Sequence, residues 1–311
     1  MQEKVTPHLK KQFGVPEIHR QYILPTEVAT VYDHPEIDPL HEGSYSPIKG
    51  LVHKFANRAL IKVSFRCAAH CQFCTRSREI GLAEGDLASA DIKSIRDYIE
   101  RRPEINDVIL SGGDPFYTPK ISSSILDVLS EVTTIKIFRV GTRLPCHNPR
   151  SFSTKPIQEL LERLEKLAET RPIFVLINFS HPAELGDETR TVIADLRRRG
   201  MLLLSQTVFL RGINDDFETL RQLFEQLYFI GVQPYYLYRC DQVKGLESYV
   251  CDLDKEILIA SQLRSHLSGI ACPTYIVDVT GRGKIPVPLN FWEDTDVTTC
   301  RDFDGVETSI V

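Results

Sequence analysis

Three cysteines fall within eight residues, Cys67-Ala-Ala-His-Cys71-Gln-Phe-Cys74, a Cx3CxxC spacing. Thiolates this close, with no acidic residue among them, can converge on one soft metal centre. Zinc would usually want a fourth ligand. His70 is available, but it sits between two of the cysteines, and no second CxxC or HxxxH follows. An iron–sulfur cluster is the better reading, and with three protein thiolates one iron stays open to a substrate. A second reactive candidate is Lys284, after Gly281-Arg282-Gly283. A lysine on a glycine-containing loop can form a Schiff base with pyridoxal phosphate, though most lysines are solvated surface charges. Lys54 and Arg58, four residues apart, could present two cations to one anion or be an ordinary solvated pair.

These residues need elements to position them. The chain has 311 residues, enough for two ordinary domains or one barrel-sized domain with short extensions. Hydrophobic residues make up 42%, so a large core can be buried without disulfides. The other five cysteines, Cys146, Cys240, Cys251, Cys272 and Cys300, are scattered, which also argues against a disulfide scaffold. The net charge of −5 argues against a nucleic-acid or anionic-lipid surface. No run of about 18 apolar residues suggests a membrane span. The start, MQEKVTPHLKKQFG, lacks the apolar stretch of a signal peptide, so a cytoplasmic location is expected.

Apolar, β-branched runs occur at Ala59–Phe65, Asp107–Leu110, Ile135–Val140, Ile173–Asn178, Leu202–Phe209, Val232–Tyr238 and Thr274–Asp278. Between them lie helical spacings, such as Leu160, Leu161, Leu164 and Leu167, or Phe217, Leu220, Phe224 and Leu227. Pro119, just before Ile121, Ile125 and Leu129, suits a first helical turn. Alternating strands and helices of this length imply parallel β/α units, in a complete or partial barrel rather than an open sheet. The polar, glycine-containing stretches follow the strands: the cysteine triplet, Ser111-Gly112-Gly113-Asp114, Arg139 to Arg143, Asn178 to Pro182, Gln206, Arg239-Cys240-Asp241 and Asp278. Parallel β/α folds build their sites at those carboxyl ends.

Cx3CxxC after the first strand of such a barrel resembles the signature of radical S-adenosylmethionine enzymes. The similarity extends to lysine 2,3-aminomutase and its relatives, from about Leu51 onward. It is carried by Cys74-Thr75-Arg76 with Arg78, Leu110 to Pro115, Arg139-Val140-Gly141-Thr142-Arg143, Ser205 to Asp215, Pro234 to Asp241, and Val277 to Lys284. The resemblance implies an α/β fold: a partial (β/α)6-type radical barrel over residues 51–278. An N-terminal extension, 1–50, would wrap the surface with some short helix. Residues 279–311 would form a lysine loop and closing segment.

The resemblance also implies roles. Cys67, Cys71 and Cys74 would hold a [4Fe–4S] cluster whose open iron chelates S-adenosylmethionine. Ser111, Gly112, Gly113 and Asp114 would line the methionine end of that ligand, unless the segment is only a tight turn. Lys284 would carry pyridoxal phosphate, with Lys54 and Arg58 at its phosphate and Gln206 nearby. Arg76 would pair with a substrate carboxylate, or else serve as a structural ion pair. Asp241 and Asp278 would hold a cationic side chain, or else bond to loops. Some positions depart from the family. Lys54 stands for an arginine, Arg282 interrupts a shortened glycine run, and Asp278 lies one residue nearer the lysine. Asp216 replaces a zinc-binding cysteine, so that zinc site is not expected, and the shorter ends leave the family tetramer unassumed.

The implied activity is a 2,3-aminomutase. A 5′-deoxyadenosyl radical would take hydrogen from C3 of an amino acid held as an aldimine, and nitrogen would move from C2 to C3. L-Lysine is the leading substrate and arginine its rival. Other chemistry on the same scaffold, such as action on a protein lysine, and a non-enzymatic metal-binding module are the alternatives. The expected partners are the amino acid and a flavodoxin- or ferredoxin-type reductant, with no nucleic acid and no membrane. A homodimer stays open as the assembly.

Overall fold

The computed structural model describes residues 2–23, 38–241, 243–279, 283–289, 291, 299–301 and 307–309. All seven apolar runs become strands of one sheet. In chain order the elements are α1 (Pro7–Lys10), α2 (Pro16–Arg20), β1 (Leu51–Phe55), β2 (Arg58–Ser64), α3 (Ser89–Glu100), β3 (Asp107–Gly112), α4 (Pro119–Leu129), β4 (Ile137–Thr142), α5 (Leu144–His147) and α6 (Lys155–Ala168). They continue with β5 (Ile173–Asn178), α7 (Asp187–Arg198), β6 (Leu202–Val208), α8 (Phe217–Phe229), β7 (Gln233–Tyr238), α9 (Leu253–His266), β8 (Thr274–Val279) and β9 (Gly283–Pro286). A separate antiparallel pair joins β10 (Thr299–Arg301) to β11 (Glu307–Ser309).

The sheet order is β1 to β9 in sequence. Strands β2 to β8 are parallel, joined by helical crossovers, while β1 and β9 add antiparallel edges. This is the expected partial barrel. Period-two alternation sorts the faces: Ala59, Ile61 and Val63 of β2 are fully buried in the core, while Arg58 and Leu60 line the interior cavity. The helices close the outside with one apolar stripe each. Ile157, Leu160, Leu161 and Leu164 do so for α6, and Leu220, Leu223, Phe224 and Leu227 for α8. Pro119 opens α4 where its missing N–H has no partner to lose. Asp216, where no zinc site is expected, caps α8 by accepting from Thr219 N at 2.9 Å.

The two edges of the sheet face each other. Lys54 on β1 reaches Asp278 on β8 at 3.9 Å. Gly283 at the start of β9 has φ +85°, and a Cβ there would sit 3.3 Å from the Phe55 ring, so glycine suits the position twice over. Gly281 and Arg282 lie outside the described residues.

The N-terminal segment does more than wrap the surface. Leu9, Ile18 and Tyr22 bury themselves with Ala69 of the cysteine loop. Two backbone bonds stitch the segment to that loop, His70 N to Lys4 O at 2.9 Å and Gln72 N to Gln21 O at 2.8 Å. The short helices α1 and α2 are held by this packing, since neither is long enough to be stable alone.

Replacing Leu161, fully buried on α6, with alanine should cost about 2–5 kcal/mol in urea denaturation. Leu202→Ala, at a 47% exposed strand start, should stay within about 0.5 kcal/mol of the parent.

Candidate active site

The carboxyl ends of the strands enclose two adjoining cavities of about 240 and 310 Å³. Thr75, Arg76, Ser111, Asn178 and Gln206 border both. The smaller holds the three cysteines; the larger holds Lys54, Arg58, Asp241, Asp278 and Lys284.

Cys67, Cys71 and Cys74 are half-buried and face one space. Among the described residues, no three His, Cys, Asp or Glu side chains are set closely enough to hold a single metal ion. A shared cavity lined by three thiols suits a cluster that takes one thiolate per iron. Burial pushes the Cys71 thiol up, while Arg143, whose NH1 lies 2.8 Å from the sulfur, draws it back.

Ser111 to Asp114 border the same cavity. Gly112 has φ +100°, and a Cβ on Gly113 would lie 2.3 Å from the Arg66 carbonyl oxygen. What approaches these glycines is therefore the chain's own backbone, Ser64 and Lys62 of β2 at Gly112 and Arg66 just beyond β2 at Gly113. Asp114 is buried and its carboxylate is occupied by the protein. It accepts from Thr142 Oγ1 at 2.9 and 3.0 Å, Arg143 N at 2.8 Å and Phe116 N at 3.0 Å. Burial raises its pKa, and these donors oppose the rise. Asp114 thus ties the β3 and β4 loops together. Ser111 is different, since its hydroxyl borders both cavities and accepts from Arg76 NH1 at 3.3 Å. Asn178 Oδ1 is buried there without a protein partner, as an acceptor awaiting a ligand donor would be.

Arg76 borders both cavities, but its guanidinium is paired. Glu42 accepts from Nε at 3.1 and 3.0 Å and from NH2 at 2.5 Å. Burial alone would raise the Glu42 carboxyl; Arg76 first, then Lys62 and Arg78, hold it down at about 2. The structural ion pair foreseen as an alternative is present, and NH1 is the donor turned toward Ser111.

In the larger cavity Lys284 Nζ donates to Asp278 Oδ2 at 2.7 Å. Asp278 Oδ1 is buried with no hydrogen-bond partner, and Lys54 lies 3.9 Å from it. Asp241 is pushed up to about 6 by burial and by Asp278, with Lys284 and Lys54 pulling the other way. Gln206 Nε2 donates to Tyr238 OH at 3.0 Å, and the Tyr238 ring centre is 5.5 Å from Lys284 Nζ. Arg58 Nε is buried and unbonded, 4.0 Å from Asp107, which also pairs with Arg139. Two loosely paired cations, Lys54 at 3.9 Å from Asp278 and Arg58 at 4.0 Å from Asp107, share this cavity with an amine, which suits a phosphorylated carbonyl cofactor.

The structure therefore gathers every candidate from the sequence around two joined cavities. It gives contacts to Asn178 and Arg139, which the sequence had placed only within polar stretches after strands, and it adds Tyr238, the last residue of β7, and Glu42, which no local pattern marks.

Gly113→Ala should displace the cysteine loop and lower iron content after anaerobic reconstitution. Glu42 contributes stability above its unfolded pKa near 4.5, lost as pH falls through about 2. The stability gap between the parent and Glu42→Gln, from denaturation midpoints, should thus shrink over that window.

The geometry agrees with comparisons to known proteins. Residues 61–224 match the model of the radical SAM superfamily. The chain is 33% identical over 309 residues to an L-lysine 2,3-aminomutase of Methanococcus maripaludis, covering 97% of this chain and 69% of that protein. It is 35% identical over 276 residues to that of Clostridium subterminale, covering 88% and 65%. The chain thus spans about two thirds of the length of these relatives. A radical SAM methyltransferase from Sphaerobacter thermophilus shares the fold, with TM-score 0.52 and 16% identity over 75% of this chain and 69% of its own. The chain belongs to the radical SAM superfamily and, within it, to the lysine 2,3-aminomutase family.

Proposed function

We propose that the chain is a pyridoxal phosphate-dependent radical 2,3-aminomutase acting on a cationic α-amino acid, L-lysine ahead of arginine. The observation that carries this reading is the larger cavity. It holds a lysine amine, an acidic pair and two loosely paired cations, and it adjoins the three-thiol space. When bound, the cluster with S-adenosylmethionine supplies a hydrogen-abstracting radical, and pyridoxal phosphate supplies the unsaturated carbon–nitrogen bond that lets nitrogen migrate.

The protein's own residues position and shield. Lys284 would carry the cofactor, and Asp278 Oδ2 at 2.7 Å can take the proton that Nζ must lose first. Lys54 and Arg58 would hold the phosphate; Lys54 keeps the charge of the arginine it replaces but not the planar fork. Asp278 would be left with an unbonded oxygen beside Asp241, a pair that calls for a cation. Across the cavity, Arg76 would meet the substrate carboxylate through NH1, because Glu42 occupies its Nε–NH2 edge. Ser111 and Asn178 would hold S-adenosylmethionine between the two spaces. A one-electron donor of the flavodoxin or ferredoxin class would reduce the cluster. Among the described residues no helix is long and apolar enough to cross a membrane.

Borohydride reduction of the holoenzyme and peptide mapping should place the cofactor on Lys284; a label on another lysine rejects the assignment. Anaerobic turnover with equal lysine, arginine, ornithine and glutamate should consume a cationic substrate first. Preference for glutamate overturns the acidic-pair reading, whereas preference for arginine corrects only the substrate. Affinity for the cationic substrate should rise as pH increases through about 6, where Asp241 ionises, and Asp241→Asn should flatten that profile.

A further inference from the structure

Arg143, just past β4, is buried and has been given no role so far. Its NH1 donates to the Cys71 sulfur at 2.8 Å. Its NH2 is held by Glu184 Oε1 at 2.5 Å, by Ser180 Oγ at 3.2 Å and by Gln21 Oε1. Glu184 is fixed in turn, because its Oε2 accepts from the backbone N–H groups of Ser180 at 2.7 Å and His181 at 3.3 Å. The backbone N–H of Arg143 is tied to Asp114. The Phe73 and Tyr22 rings lie 5.0 and 5.6 Å from the guanidinium carbon, and His147 Nε2 is 3.5 Å from the same sulfur. The guanidinium is therefore held on its NH2 side by a buried carboxylate and aimed, on its NH1 side, at one cysteine.

Reducing an iron–sulfur cluster adds negative charge, part of it on the ligand sulfurs. Hydrogen bonds to those sulfurs favour the reduced form, and a cationic donor does so more strongly than a neutral one. Burial keeps the effect from being screened, and arginine stays charged at every working pH. We propose that Arg143 is a positioning residue that raises the reduction potential of the cluster on Cys67, Cys71 and Cys74. It acts through its bond to the Cys71 sulfur, with Glu184 setting both its aim and the size of its effect. The consequence is that an external one-electron donor can load the cluster more readily. The proposal rests on the cluster alone and is independent of the substrate and of Lys284.

A purely structural Arg143–Glu184 pair would affect folding and iron retention but not the potential. The test therefore uses the reconstituted holoenzyme without S-adenosylmethionine or amino acid, titrated anaerobically with dithionite. The reduced cluster is read by electron paramagnetic resonance and iron is measured per chain. Arg143→Gln should lower the ratio of reduced to oxidised cluster about tenfold at a fixed potential, a midpoint drop of about 59 mV for one electron. Arg143→Lys, which keeps the charge, should recover part of the loss. Glu184→Gln should shift the midpoint the opposite way, because it removes the carboxylate that partly cancels the guanidinium. An unchanged midpoint in iron-replete Arg143→Gln overturns the proposal, as does a shift of the two variants in the same direction. If Arg143→Gln cannot hold a cluster, Glu184→Gln decides: a rise supports the assignment, and no change or a fall rejects it.

Discussion

Buried charge must be matched, and the mouth of this barrel is built largely from it. Seven parallel strands bring their carboxyl ends together, so the polar residues that follow them share a confined space. Most ions there have a counterion. Arg76 has Glu42, Lys62 has Glu79 at 2.8 Å, Arg143 has Glu184, Arg239 has Glu256 at 2.7 Å, and Lys284 has Asp278. Such pairs add little net stability over apolar packing, but removing one partner leaves a stranded charge and is costly. The arrangement thus specifies geometry more than it strengthens the fold. Asp278 Oδ1, Arg58 Nε and Asn178 Oδ1 are among the buried polar atoms without a hydrogen-bond partner, and all three border the cavities.

Much of the fold was legible in the sequence because local periodicity encodes it. Each of the seven apolar runs became a strand within a few residues, and the stripes in α6 and α8 matched the spacing of their leucines and phenylalanines. The candidate site was also largely legible, because parallel topology places whatever follows a strand at one end. What could not be read was pairing over long sequence distance. Glu42 meets Arg76 across 34 residues, and Arg143 meets Gln21 across 122. No local pattern marks either partner. Asp114 shows the complementary limit. Its motif was recognisable, yet only the structure shows that its carboxylate is occupied by Thr142 and two backbone N–H groups.

The same limit applies to Lys54 in the larger cavity. Lys54 looked like a weakened copy of an arginine in sequence. In the structure it is part of the seam between sheet edges, reaching Asp278 and lying 5.9 Å from the Phe55 ring centre. A lysine's compact charge and flexible stem suit that bridging position, where a planar fork would face several partners that are not coplanar.

The N-terminal segment has a consequence for the order in which the protein folds. Residues 2–23 bond to the cysteine loop and also to partners much farther along the chain. Tyr249 OH bonds to Arg20 O across 229 residues, and Thr6 bonds to His147 O across 141. Contacts of such long range form late, since the intervening chain must first be ordered. The segment's contacts with the cysteine loop can form once that loop is made, whereas its full docking waits for the barrel behind the loop to be nearly complete. The segment thus couples the loop that carries the thiols to strands and helices made long after it.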